Sequence, residues 1–203
     1  MKIFCIGRNY ALHAKELGNA IPESPVVFMK PVTALLKNNL PFFYPEFSEA
    51  IEYEAELVLK ISKNGKHVQS KFAKDYYDEI TVGIDFTARY LQSKLKEKGL
   101  PWELAKAFDQ SAVLGEFVSF DQLKNKDEIS FSLLKNGSIA QEGTSKDVLF
   151  TFDELICFIS QYFTLQAGDL IYTGTPAGVA KVAIGEKYEG LLEGRKVFEC
   201  EIK

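Results

Sequence analysis

The run Ile51-Glu52-Tyr53-Glu54-Ala55-Glu56-Leu57-Val58-Leu59-Lys60-Ile61 constrains this chain more than any other stretch. Its composition predicts a β-strand, with acids at every second position of its first half. Side chains two apart on a strand share a face, roughly 6–7 Å apart by the strand rise. Glu54 and Glu56 could then face one hard cation, with Glu52 continuing the row. An edge strand with a solvated acidic face would explain the same pattern without an ion.

Other parts of the chain narrow the choice. With 203 residues, 46% of them hydrophobic and 13% aromatic, the chain can fill one well-buried core but not two, so a single domain over 1–203 is expected. The net charge of −4 leaves no basic patch of the kind nucleic acid or an anionic membrane demands, which points to small-molecule chemistry. Cys5, Cys157 and Cys200 are widely spaced and form no CxxC, so neither a disulfide framework nor a zinc knuckle is expected, and a reducing compartment is. No apolar run approaches about 18 residues, and Met1–Ile6 is too short for a secretory segment; a cytoplasmic protein is expected.

In chain order, a strand over Lys2–Ile6 precedes a short helix over Tyr10–Leu17, with Asn9 as its N-cap and Gly18 as its stop. His13 and Glu16 stand at i and i+3 on that helix. This suits either a solvated surface pair or a base with the carboxylate that orients it. Lys30 closes the apolar run Val26–Met29 and is forced toward an extended conformation by Pro31, a way to aim an ammonium at a site. Asn64-Gly65 carries a hairpin signal that ends the acidic strand, and His67 beyond it reads as exposed. Glu79–Asp85 reads as a strand that turns helical near Phe86, which places Asp85 at a strand's carboxyl end, as a ligand or as a cap. A second hairpin is expected around Asn136-Gly137, and another pair of strands around Glu193-Gly194. A capping box, Thr151 with Glu154, opens a core helix with a broad apolar face from Leu155 to Phe163. Ala167–Val179 runs a short strand into a glycine-rich turn.

Several chemistries lack their motifs. There is no GxxxxGK[ST], no GxSxG and no GxGxxG opening a helix, and two histidines cannot build a multi-histidine zinc site. Glu54, Glu56 and Asp85, with lysines and one histidine elsewhere, suit Mg²⁺ or Mn²⁺ holding an anionic substrate better than a softer metal.

Six motifs in order carry a resemblance: Gly7-Arg8-Asn9-Tyr10-x-x-His13-x-x-Glu16, Phe28-Met29-Lys30-Pro31, Glu54-Ala55-Glu56, Gly83-x-Asp85-x-Thr87-Ala88-Arg89-x-x-Gln92, Lys106-Ala107-Phe108-Asp109 and Thr173-Gly174-Thr175-Pro176-Ala177-Gly178-Val179. The set resembles the fumarylacetoacetate hydrolase superfamily, in its small acylpyruvate hydrolase and oxaloacetate decarboxylase branch. The resemblance implies a β-rich α+β fold, a mixed β-sandwich roll with a few short helices, in a homodimer. It implies Mg²⁺ or Mn²⁺ on Glu54, Glu56 and Asp85, an active-site Lys106, and substrate contacts from Arg8, Lys30, Arg89, Gln92 and Thr175. It makes His13 and Glu16 a catalytic dyad on a mobile lid helix over residues 10–18. The implied activity is cleavage of acylpyruvates to pyruvate and a carboxylic acid, with oxaloacetate decarboxylation beside it. Isomerisation or tautomerisation of unsaturated or enolic 2-oxo acids is the alternative; the substrate is a small 2-oxo or 1,3-diketo acid in each case. The chain departs from the family pattern at Tyr53, Tyr90, Ala107 and Ala180, where relatives commonly carry His, Asp, Ser and Gly.

Overall fold

The computed structural model describes residues 1–203 except Leu17, Asn19 and the side chain of Ala14. Its strands in chain order are β1 (Ile3–Gly7), β2 (Val26–Lys30), β3 (Leu35–Leu36), β4 (Ile51–Tyr53), β5 (Ala55–Ile61), β6 (Tyr77–Asp85), β7 (Thr87–Ala88), β8 (Ala112–Leu114), β9 (Val118–Ser119), β10 (Ser130–Lys135), β11 (Ser138–Thr144), β12 (Leu170–Tyr172), β13 (Ala180–Lys181), β14 (Lys187–Leu192) and β15 (Arg195–Glu201). The α-helices are α1 (Ala11–Glu16), α2 (Arg89–Glu97), α3 (Glu103–Lys106) and α4 (Phe152–Tyr162). An eight-stranded sheet runs β2-β1-β12-β5-β6-β8-β3 with β9 added to β6; beside it lie a four-stranded sheet, β11-β10-β14-β15, and a three-stranded one, β13-β4-β7. Parallel pairings of β1 with β12 and of β3 with β8 make the large sheet mixed. Leu57, Leu59 and Val82 from the large sheet share one core with Leu133, Tyr188 and Phe198 from the four-stranded sheet. The result is the expected mixed β-sandwich roll with a few short helices.

The acidic run is two strands, not one. Strand β4 pairs with β7 and β13 in the small sheet, whereas β5 pairs with β12 and β6 in the middle of the large one. Glu54 is the residue between them, and its carbonyl accepts from the Asp85 N–H at 2.8 Å. Strand β5 has a partner along each edge, and Glu54 and Glu56 are only 6% and 2% exposed, so the solvated-edge explanation fails.

Turn chemistry mostly follows the sequence. Asn136 and Gly137 both take positive φ (50° and 81°), as the tight turn between β10 and β11 requires, and Glu193-Gly194 does the same between β14 and β15. The capping box forms: the Thr151 hydroxyl accepts from the Glu154 N–H, and the Glu154 carboxylate accepts from the Thr151 N–H at 2.7 Å. The three cysteines are unpaired.

Four local expectations are corrected. Asn64-Gly65 ends β5 without turning a hairpin, because residues 62–76 intervene before β6; Gly65 bridges to Leu165 instead, and the Asn64 side-chain Oδ1 accepts from the Ala167 N–H. Helix α2 starts at Arg89 rather than near Phe86, because Thr87 and Ala88 are used in pairing with β4. Asn9 does not cap α1. Its side-chain amide donates to the carbonyls of Thr173 and Phe150 and accepts from the Phe150 N–H, tying three distant segments together. The apolar face of α4 is narrower than expected, with Leu155, Ile156 and Ile159 buried but Tyr162 62% exposed. The expected end of the first helix at Leu17 lies outside the described residues, and α1 is seen over Ala11–Glu16.

Candidate active site

Three elements converge on the junction between β4 and β5. Glu54 sits at that junction, Glu56 two residues into β5, and Asp85 at the carboxyl end of the neighbouring β6. Ligand oxygens of the three lie within 4.8 Å of one another, and all three residues are buried. The Lys106 ammonium, at the end of α3, donates to Glu54 Oε2 (2.6 Å), Asp85 Oδ2 (2.8 Å) and Thr87 Oγ1 (2.6 Å). Arg89 spans the other side, donating from Nη2 to Glu54 Oε1 (2.5 Å), from Nε to Glu52 Oε2 (2.6 Å) and from Nη1 to Gln92 Oε1 (2.8 Å). Glu52 therefore serves as an anchor for the arginine that holds Glu54.

Lys30 reaches the cluster from beneath and does not line its cavity. Its Nζ lies 2.7 Å from Asp85 Oδ1 and donates to Ser111 Oγ at 2.8 Å and to the carbonyl of Lys106. The contact to Oδ1 is a close ion pair without a well-directed hydrogen bond, so that oxygen keeps acceptor capacity. Glu56 has no cationic partner within ion-pair distance among the described residues; its Oε2 accepts from the Gly174 N–H at 2.7 Å. Gly174 presents that N–H from a backbone at φ +102°, where a Cβ would come within 2.7 Å of the Asn9 side chain. Glycine is required at this position on both counts.

The electrostatics divide the carboxylates. Burial works to raise the Glu54 carboxyl, but Lys106, then Arg89 and His13, outweigh it and hold it well below the usual carboxylate range. Burial, then Asp85 and Glu54, raise Glu56 well above that range, and the opposing effects of Lys106 and the Gly174 N–H do not cancel the rise. Burial acts to lower Lys106, yet Asp85 and Glu54 keep it raised. A divalent cation fits this arrangement: every donor is a carboxylate oxygen, one carboxylate has no cation facing it, and one Asp85 oxygen remains under-used. Such a donor set suits hard Mg²⁺ or Mn²⁺.

A small cavity opens onto the cluster, and Arg8, His13, Glu54, Glu56, Arg89, Gln92, Lys106 and Thr175 are all on its wall. His13, 5% exposed, has its Nδ1 3.2 Å from Glu16 Oε2, and the Glu16 carboxylate also accepts from the Gly178 N–H at 3.1 Å. Among the sequence-selected side chains, Lys30, Asp85 and Glu16 are brought to the site without lining this cavity. None of the four family departures lines it either; Tyr53 packs on Tyr188 with ring centroids 5.2 Å apart, and Tyr90 is exposed.

Sequence reasoning missed Gln141 and Lys96. The Gln141 side chain accepts from the Ala55 N–H (2.9 Å) and donates to Thr175 Oγ1 (2.9 Å), joining the two pocket walls from β11. No local signal marks it. Lys96 lines the cavity beside Trp102, and its signal was available: Arg89, Gln92 and Lys96 are at i, i+3 and i+7 of one helix face.

A family model described as fumarylacetoacetate (FAA) hydrolase C-terminal matches residues 2–203. The chain belongs to this family. It is 38% identical over 202 residues to an oxaloacetate tautomerase of Arabidopsis thaliana, covering 100% of this chain and 91% of the relative. An oxaloacetate decarboxylase of Dictyostelium discoideum is 40% identical over 186 residues, covering 91% of this chain and 85% of the relative. Among solved structures, fumarylpyruvate hydrolase from Pseudomonas aeruginosa in complex with Mn²⁺ and pyruvate superposes with a TM-score of 0.92 at 33% identity, covering 100% of this chain and 90% of that one. The roll is thus of the fumarylacetoacetate hydrolase type.

Proposed function

We propose that this chain is a Mg²⁺- or Mn²⁺-dependent enzyme that cleaves acylpyruvates to pyruvate and a carboxylic acid, and that it also decarboxylates oxaloacetate. The observation that carries the reading is that buried His13, paired with Glu16, is on the wall of the same cavity as Glu54 and Glu56. Glu54, Glu56 and Asp85 would hold the ion. When bound, it supplies Lewis acidity to the carboxylate and 2-oxo oxygen of the substrate. Its presence in the structure of the fumarylpyruvate hydrolase relative, with pyruvate, supports that choice.

The protein's own groups do the rest. With Nδ1–H directed at Glu16, the lone pair of His13 lies on Nε2, which removes a proton from water. The water oxygen bonds to the distal acyl carbon, the C–C bond to the neighbouring carbon breaks, and its electron pair passes to that carbon as the enolate of pyruvate. The carbon then takes up a proton. Lys106 and Arg89 place positive charge where the negative charge develops. For oxaloacetate the same enolate forms by loss of CO₂, without attack by water. The proposal includes α1 as a lid over the cavity and a homodimer; an exposed apolar groove behind α3, lined by Met29, Phe47, Leu104 and Phe108, supports the dimer.

Tautomerisation of an enolic 2-oxo acid is the second reading, favoured by the similarity to oxaloacetate tautomerases. It needs a proton shuttle but no attacking water. Acetylpyruvate turnover in ¹⁸O-labelled water separates the two: label in the released acetate is expected, with loss of about 10²–10⁴ in rate for His13→Ala. Enol–keto interconversion without pyruvate release would overturn the hydrolase reading.

A further inference from the structure

A side chain behind the cavity wall sets what another on the wall can do. Strand β5 pairs with β12 from Val58 to Lys60, and the Thr173 N–H that follows β12 donates to the Leu57 carbonyl. Ala55 is fully buried and lies beyond the end of that partner strand, so its N–H needs another acceptor. Gln141, reaching across from β11 at the edge of the four-stranded sheet, supplies it: Oε1 accepts from the Ala55 N–H at 2.9 Å. The other end of the same amide, Nε2, donates to the Pro176 carbonyl and to Thr175 Oγ1, both at 2.9 Å.

The two backbone partners fix which end of the amide is which. An N–H only donates and therefore meets Oε1; a carbonyl only accepts and therefore meets Nε2. A flipped amide would lose both bonds. Because Nε2 is a donor alone, Thr175 Oγ1 must accept from it. The threonine's own proton is left over, and it has no acceptor among the described residues. Thr175 is on the cavity wall, whereas Gln141, 2% exposed, stands behind it. We infer that Gln141 is a positioning residue: its amide makes the Thr175 hydroxyl an obligate donor and leaves that proton for an oxygen of the bound anion. A freely rotating hydroxyl serves as donor or acceptor alike. One fixed as a donor favours oxygen bearing negative charge, which the carboxylate and the developing enolate of a 2-oxo acid both present. The inference rests on the 2-oxo acid reading above and gives a role to a residue that reading does not use.

The test is calorimetric titration of pyruvate into the Mg²⁺-loaded protein. Gln141→Glu keeps an acceptor for the Ala55 N–H but takes the hydroxyl proton instead of donating to the hydroxyl. About tenfold weaker binding is expected, the usual strength of a hydrogen bond to a charged group. Gln141→Met leaves Ala55 without its acceptor but frees the hydroxyl to rotate, so it should weaken pyruvate less than Gln141→Glu does. A purely structural role predicts the opposite order, because only the Glu variant preserves the Ala55 bond. Thr175→Val should cost about as much as Gln141→Glu, and in its presence neither Gln141 variant should cost more than about a further twofold. A loss caused only by the added negative charge would persist in the Thr175→Val background. That persistence, the opposite order of the two variants, or unchanged pyruvate affinity in Gln141→Glu would overturn the inference. If Gln141→Glu does not fold, Gln141→Met with and without Thr175→Val decides: losses that multiply overturn the inference, and losses that do not support it. Absence of pyruvate binding by the unmodified protein would overturn the 2-oxo acid reading and this inference with it. The expected pattern in a protein that cleaves no acylpyruvate would support the role of Gln141 while refuting the proposed reaction.

Discussion

The two halves of the candidate site are built differently. The carboxylate cluster sits at the start of β5 and the end of β6, in the middle of the eight-stranded sheet, with Glu54 and Asp85 clamped by Lys106, Arg89 and Lys30 through close ion pairs. The His13–Glu16 pair sits on the six-residue α1, outside the sheets, with Glu16 held to the rest of the molecule through the Gly178 N–H. A cluster of buried like charges needs rigid, pre-placed counter-charges, because each unpaired ion would be costly. A proton-moving pair must admit substrate, and a short peripheral helix allows that. Stability and catalysis should therefore come apart between the halves.

The sharpest attack on that contrast is Lys106→Met, which leaves Glu54 and Asp85 without their shared cation. A loss of about 3–5 kcal/mol in unfolding free energy is expected from uncompensated buried charge, together with loss of activity. Urea titration measures the first, and a variant as stable as the unmodified protein would break the comparison. The smaller effect lies at the dyad. Glu16→Gln keeps the shape but removes the charge that orients His13, for which about a 10–100-fold drop in turnover is expected from the effects of removing comparable orienting groups. Its stability should move by about 0.5 kcal/mol or less, as for other surface changes. A large fall in stability with little change in turnover would make the pair structural.

How far the sequence shows all this depends on which interactions are local. The hairpin turns, the capping box and Asp85 at a strand's end are legible because each depends on residues close together in the chain. The break at Glu54 is not, since β4 and β5 read as one β-type run until their different partners, β7 and β12, are known. Asn9 looks like an ordinary cap, and only the approach of Phe150 and Thr173 gives its amide other partners. Gln141 is invisible for the same reason, because Ala55 and Thr175 reach it only through sheet packing. Lys30 was legible as an aimed ammonium, but not that it supports Asp85 from below.

The central claim is that Glu54, Glu56 and Asp85 hold the ion without which the rest of the cavity cannot break the C–C bond. Pyruvate release from acetylpyruvate, followed in Mg²⁺, after chelation, and after Mg²⁺ is added back, tests it most directly. The account predicts release in Mg²⁺, loss of at least about 10³-fold on chelation, as expected when charge stabilisation worth several kcal/mol is removed, and recovery on add-back. Release that continues undiminished in chelator would contradict it.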